Sequence, residues 1–76
     1  MNMNITVYTQ DNCPPCQYIK NYFREHQILF TEKNIRNSQY RSEMMEMEAF
    51  STPLIMIDDE ILHAIDMDRI EALVHV

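Results

Sequence analysis

The stretch Ile5-Thr6-Val7-Tyr8-Thr9, followed by Cys13-Pro14-Pro15-Cys16 and then Gln17-Tyr18-Ile19-Lys20-Asn21-Tyr22-Phe23, decides how the chain folds. Ile5, Val7 and the run to Thr9 are rich in β-branched residues and read as a strand. Pro14 suits the first helical position, where a missing N–H costs nothing. Cys16, Ile19, Tyr22 and Phe23 then recur at helical spacing, which predicts a helix over 14–25. Cys13 and Cys16 are the only cysteines of the 76 residues, and they fall where strand gives way to helix. First-turn amides and the helix dipole there both favour a negative sulfur, so the junction suits an activated thiol.

Working outward, Ile28-Leu29-Phe30-Thr31 reads as a second strand. Asn37 or Ser38 caps a second helix, with Tyr40, Met44 and Met47 on one face and Arg41, Glu43, Glu46 and Glu48 in water. Thr52-Pro53 opens an apolar strand, Leu54-Ile55-Met56-Ile57. Asp58-Asp59 turns into a short fourth strand, Ile61-Leu62, and Asp66 caps a last helix with Ile70, Leu73 and Val74 buried. The order β-α-β-α-β-β-α predicts an α/β fold in one domain over residues 1–76: a four-stranded mixed sheet flanked by three helices. The first two strands are joined by a helix and so run parallel, and the last two are joined by a tight turn and so run antiparallel. Glycine is absent, so positions with φ > 0 fall to Asn or Asp.

Charge and hydropathy narrow the function classes. Lys+Arg 6 against Asp+Glu 12 gives a net charge of −6, which disfavours nucleic acid or an anionic membrane as partner. Met1-Asn2-Met3-Asn4 lacks a basic n-region, and no apolar h-region follows it, so the expected compartment is the cytoplasm. There a close cysteine pair points to redox chemistry or metal binding more than to a structural staple. A zinc or iron–sulfur site would need further ligands from His26 and His63, and neither has ligand spacing to the cysteines. No metal or cofactor is therefore expected. Two inert core thiols are the bland alternative, but proline-spaced cysteines at a helix start are poorly placed for packing. The histidines read as surface or partly buried residues, Met44-Met45-Met47 as core and helix surface, and Asp58-Asp59-Glu60 as a solvated turn.

Taken together, Val7-Tyr8-Thr9, Cys13-x-x-Cys16 and Ser51-Thr52-Pro53 before an apolar strand resemble the thioredoxin superfamily in its small glutaredoxin-like branch, most of all the NrdH-type redoxins. The segment Asp58 to Ile70 resembles the NrdH-type ending, with Asp68 and Ile70 in register. The resemblance implies a thioredoxin-like (glutaredoxin-type) fold and a monomeric electron carrier that reduces protein disulfides, with ribonucleotide reductase as one recipient. It also implies a cis Thr52–Pro53 bond whose Thr52 backbone pairs with an extended substrate, and a substrate groove formed with Pro14 and Pro15. Two departures stand out. Leu62-His63-Ala64-Ile65-Asp66-Met67 replaces the Trp-Ser-Gly-Phe-Arg-Pro-like stretch of NrdH-type redoxins. His63-Ala64 also falls where glutaredoxins place the Gly-Gly pair that lets glutathione approach closely.

Thiol–disulfide exchange needs one partly ionised thiol to attack and a second to release the mixed disulfide. Cys13, at the helix edge, is the expected attacker, and Cys16, one turn in on the apolar face, the resolver. A helix terminus that lowers the Cys13 pKa by about 1.5 units from roughly 8.5 raises the thiolate fraction about fifteen-fold. Nucleophilicity falls about five- to six-fold, so attack gains only about three-fold, while the potential rises by about 45 mV. Asp11 opposes the effect and no cation precedes Lys20, so a moderately reducing couple is expected. Crowding by His63-Ala64 and the acidic balance favour a thioredoxin-reductase-type flavoenzyme over glutathione as electron source. The alternatives are a glutathione-dependent glutaredoxin, a non-catalytic thioredoxin-fold interaction module and a metal-binding Cys-x-x-Cys protein.

Overall fold

In a computed structural model that describes residues 3–74, the chain runs β1 (Ile5–Thr9), α1 (Pro14–Glu25), β2 (Thr31–Asn34), α2 (Ser38–Glu46), β3 (Leu54–Ile57), β4 (Glu60–Leu62) and α3 (Met67–Val74). This is the expected order of elements. The four strands form one mixed sheet in the order β2-β1-β3-β4. β1 lies parallel to β2, with Thr6 opposite Thr31, and antiparallel to β3, with Val7 opposite Ile55. β4 closes the far edge antiparallel to β3, pairing Met56 with Ile61.

Period-two alternation sorts the side chains onto two faces. Ile5, Val7, Ile55 and Ile57 meet Ile19 and Phe23 of α1 and Ile70 and Val74 of α3 in the larger core. Tyr8 and Leu54 point the other way and pack with Met44 and Ala49 under α2. The sheet is thus covered on both sides, and the C-terminal end of β1 is left to deliver the chain into α1.

Two expectations need correction. The second strand is Thr31–Asn34, not 28–31. Ile28 and Phe30 pack against the larger core from an extended connection, while Leu29 between them is 91% exposed. Alternation of buried and exposed apolar side chains imitates a strand there, although the ladder to β1 begins only at Thr31. Left-handed backbone is also not confined to Asn and Asp. Asn12 (φ 56°) and Asp58 (φ 51°) adopt it, but so do Gln27 (φ 57°) and Glu48 (φ 59°). Both of these follow helices that end in Schellman closures. The Ile28 amide donates to Phe23 O at 2.8 Å and the Gln27 amide to Arg24 O at 3.1 Å; Ala49 to Met44 O at 3.2 Å and Glu48 to Met45 O at 2.9 Å repeat the pattern. That geometry requires φ > 0 whatever residue stands there.

The helix starts follow the sequence. Asn37 Oδ1 accepts from the Gln39 and Tyr40 amides at 2.9 and 3.3 Å, and Asp66 Oδ1 accepts from the Arg69 amide at 3.2 Å. α3 buries Ile70 and Val74, with Leu73 partly buried. Among the described residues, no helix is long and apolar enough to cross a membrane.

Candidate active site

β1 ends at Thr9, a short loop turns through Asn12, and Cys13 takes the N-cap position of α1 in extended conformation (φ −124°, ψ 93°). Pro14 and Pro15 form the start of the first helical turn, and both are exposed. Neither has an amide hydrogen, so the first N–H that the helix can offer is that of Cys16. It donates to Cys13 Sγ at 3.2 Å. Cys13 and Cys16 are joined in a disulfide, with their Cα atoms 5.2 Å apart.

Cys16 shares the buried stripe of α1 with Ile19, Lys20 and Phe23. Cys13 was expected at an exposed edge, and its position is more sheltered than that. It is 7% exposed, against 1% for Cys16. Part of the shelter is Thr52, whose Oγ1 lies 3.6 Å from Cys13 Sγ. A disulfide sulfur has no proton to give, so the Thr52 hydroxyl is the donor. The Thr52–Pro53 bond is cis, as the resemblance implied; Thr52 is half-buried and Pro53 buried. The structure therefore brings Cys13, Cys16, Pro14 and Thr52 together at one end of the sheet, with Pro15 exposed beside Pro14 and Pro53 fixed behind Thr52.

Two charged networks flank this end of the sheet. On the α1 face, Lys20 Nζ donates to Glu32 Oε2 at 2.9 Å, and the Thr9 hydroxyl donates to the same oxygen at 2.7 Å. Burial by itself pushes the Glu32 carboxyl up, but the Lys20 and Thr9 hydrogen bonds and the Lys20 charge outweigh it and hold the group below its ordinary value. On the α2 face, Tyr8 Oη and Lys33 Nζ both donate to Glu43 Oε1 at 2.9 Å. The Lys33 bond, reinforced by Tyr8, lowers the Glu43 pKa, while burial and the Glu43 bond raise that of Tyr8. Tyr8 is thus a sheet tyrosine with its polar tip satisfied. Asp11, the acidic residue nearest the motif in sequence, faces Arg36 Nη1 at 3.3 Å and accepts from Asn34 Nδ2 at 3.2 Å.

Sequence reading missed two of these features. Lys20, read from the sequence only as the cation near the motif, is buried at 8% exposure; its spacing of four residues from Cys16 on the apolar face was the available signal. The Thr52 hydroxyl contact had none, because it depends on a loop far along the chain.

Known proteins align with this arrangement. The Glutaredoxin family model matches residues 5–62. Glutaredoxin-like protein NrdH of Lactococcus lactis subsp. cremoris (strain MG1363) is 36% identical over 56 residues, covering 72% of this chain and 78% of that protein. Among solved structures, a thioredoxin-like protein superposes with a TM-score of 0.89 at 24% identity, covering 96% of each chain. The NrdH-redoxin from Escherichia coli superposes with a TM-score of 0.76 at 22% identity, covering 92% of this chain and 93% of that one.

Proposed function

The chain belongs to the glutaredoxin family of thiol–disulfide oxidoreductases, and on that premise we propose that it is a dithiol electron carrier of the NrdH type for protein disulfides. The observation that carries the reading is the Cys13–Cys16 pair at the start of α1, with Cys13 the more accessible of the two residues and its sulfur held by the Cys16 amide. Cys13 as thiolate attacks a substrate disulfide, forms a mixed disulfide and releases one substrate thiolate, which takes a proton from water. Cys16 then loses its proton and attacks Cys13 Sγ, the bond from Cys13 to the substrate breaks, and the second substrate thiolate leaves and takes up a proton. Two electrons have passed from the dithiol to the substrate, and the Cys13–Cys16 disulfide remains. Pro14, Pro15, Thr52 and Pro53 border the place where the substrate segment lies, and the Thr52 backbone pairs with it.

The carrier works as a monomeric domain spanning residues 1–76, in the cytoplasm, and is recharged by a thioredoxin-reductase-type flavoenzyme; ribonucleotide reductase is the recipient to test first. Support for the flavoenzyme comes from His63-Ala64, whose Cβ atoms crowd an approach that glutathione makes to glycine, and from Lys33, which is held by Glu43. One observation favours glutathione instead: Arg36 folds towards the motif onto Asp11, placing a cation near an anionic ligand's path. Mixed-disulfide trapping and a coupled NADPH assay decide both points. Cys16→Ser traps a stable adduct through Cys13 and Cys13→Ser traps none; equal trapping refutes the assignment. Turnover with thioredoxin reductase exceeds that with millimolar glutathione and glutathione reductase, and equal rates would promote the glutathione-dependent reading.

A further inference from the structure

The geometry points to the Thr52 hydroxyl as a donor that stabilises the Cys13 thiolate, a role beyond lining the substrate groove, and this rests on Cys13 being the nucleophile. The reason lies in the two prolines. A helix N-terminus ordinarily offers several amides to an anion at its cap, but Pro14 and Pro15 remove the first two. The Cys16 amide at 3.2 Å is what α1 supplies to the sulfur. Thr52 Oγ1, 3.6 Å from the same sulfur and contributed by a different part of the fold, is a second donor. Sulfur's large radius makes such contacts long. Two further features strengthen this one. Cys13 is 7% exposed, so water competes poorly for the sulfur. Thr52 is half-buried and β-branched, so its χ1 is restricted.

The charged and titratable groups on the surrounding elements do not substitute for it. In the loop before Cys13, Asp11 is paired with Arg36. On α1, Lys20 is paired with Glu32. On the α2 side, Glu43 is taken by Lys33 and Tyr8, and Glu48 is exposed after α2. Beyond β4, His63 and Asp66 are exposed, and Asp66 caps α3. The hydroxyl is the neutral dipole placed on the reacting atom. When Cys13 is oxidised it donates to a disulfide sulfur, a weak acceptor. When Cys13 is reduced and ionised it donates to an anion, a strong one, so it favours the thiolate over both the thiol and the disulfide.

The test is the pH profile of iodoacetamide alkylation of the reduced full-length protein, with the modified cysteine mapped by mass spectrometry and the dithiol potential measured by equilibration with a glutathione redox buffer. Thr52→Val keeps the shape and removes the hydroxyl; Thr52→Ser keeps the hydroxyl. Thr52→Val is expected to raise the pKa of Cys13 by about 0.5–1 unit, equivalent to about 0.7–1.4 kcal/mol. Below that pKa alkylation then slows about two- to three-fold, and above it, where the thiolate dominates, the potential falls by about 15–30 mV. Thr52→Ser restores most of both. If Thr52→Val folds poorly, Thr52→Ala is read the same way. Modification first at Cys13 with an unchanged pKa in Thr52→Val, or a shift that Thr52→Ser does not reverse, overturns this role and leaves the proposed function standing. Modification first at Cys16 overturns the nucleophile assignment itself, and this role with it.

Discussion

Glu32→Gln tests whether the charge beneath the Cys13–Cys16 end of the sheet stabilises the fold. Glutamine keeps the shape and one acceptor oxygen for the Lys20 ammonium and the Thr9 hydroxyl, and removes only the charge. The Lys20 side chain is 10% exposed and that of Glu32 32%, so the ammonium left behind has little access to water while the carboxylate has some. Hydrogen bonds to a charged acceptor are worth about 1.5–3 kcal/mol and neutral ones about 0.5–1.5, and partial exposure of Glu32 trims the difference. The expected cost at pH 7 is therefore about 1–1.5 kcal/mol, roughly 4–12 °C in Tm for a domain of this size. The sign with pH follows from the lowered Glu32 pKa. A carboxylate held below its ordinary value of 4.5 contributes stability that is fully present above that value and is lost as pH falls through the folded-state value. Urea melts of both proteins should show a gap that is full at pH 7 and closes on acidification below about pH 4.5. Lys20→Met should cost no more than Glu32→Gln, because the carboxylate it leaves can still be hydrated. A gap that stays constant or widens in acid, or a Lys20→Met variant much less stable than Glu32→Gln, would refute the reasoning.

Two further predictions concern packing and backbone. Phe23 is fully buried between α1 and the sheet; Phe23→Ala should cost about 3–5 kcal/mol, enough to abolish a cooperative unfolding transition near room temperature in circular dichroism. Gln27→Gly and Glu48→Gly, at the two left-handed helix ends, should each stabilise by up to about 1 kcal/mol in urea melts, whereas Arg41→Gly, at an exposed position inside α2, should destabilise by about that amount.

The elements that were legible in the sequence are those whose pattern is set by one packing partner. α1 follows from Cys16, Ile19 and Phe23 all facing the core, and β3 from an apolar run that is buried on both faces. β2 was misplaced because Thr31-Glu32-Lys33-Asn34 is a polar edge strand, fixed by its ladder to β1 and silent in hydropathy. The apolar residues just before it are there to pack and not to pair. At the site, the local spacing of Cys13 and Cys16 sufficed to put both at the start of α1, but not to show how far Cys13 is sheltered. The Thr52 contact and the burial of Lys20 could not be read in the same way, since each requires a partner brought in by tertiary structure. Gln27 and Glu48 show a third limit: helix closure imposed φ > 0 on residues with no intrinsic liking for it.

That Cys13 caps α1 with its own sulfur ties two equilibria into one thermodynamic cycle. The free energy by which the capped helix favours an ionised sulfur is the same free energy by which an ionised sulfur favours the capped helix. The reduced protein should therefore gain stability as pH rises through the Cys13 pKa, while the oxidised form, with no thiol to ionise there, should not. Any substitution that frays the first turn of α1 while leaving the rest folded must shift the redox potential with it. The redox behaviour of the dithiol is in this sense a property of the helix start, and it can be tuned from residues that never touch a substrate.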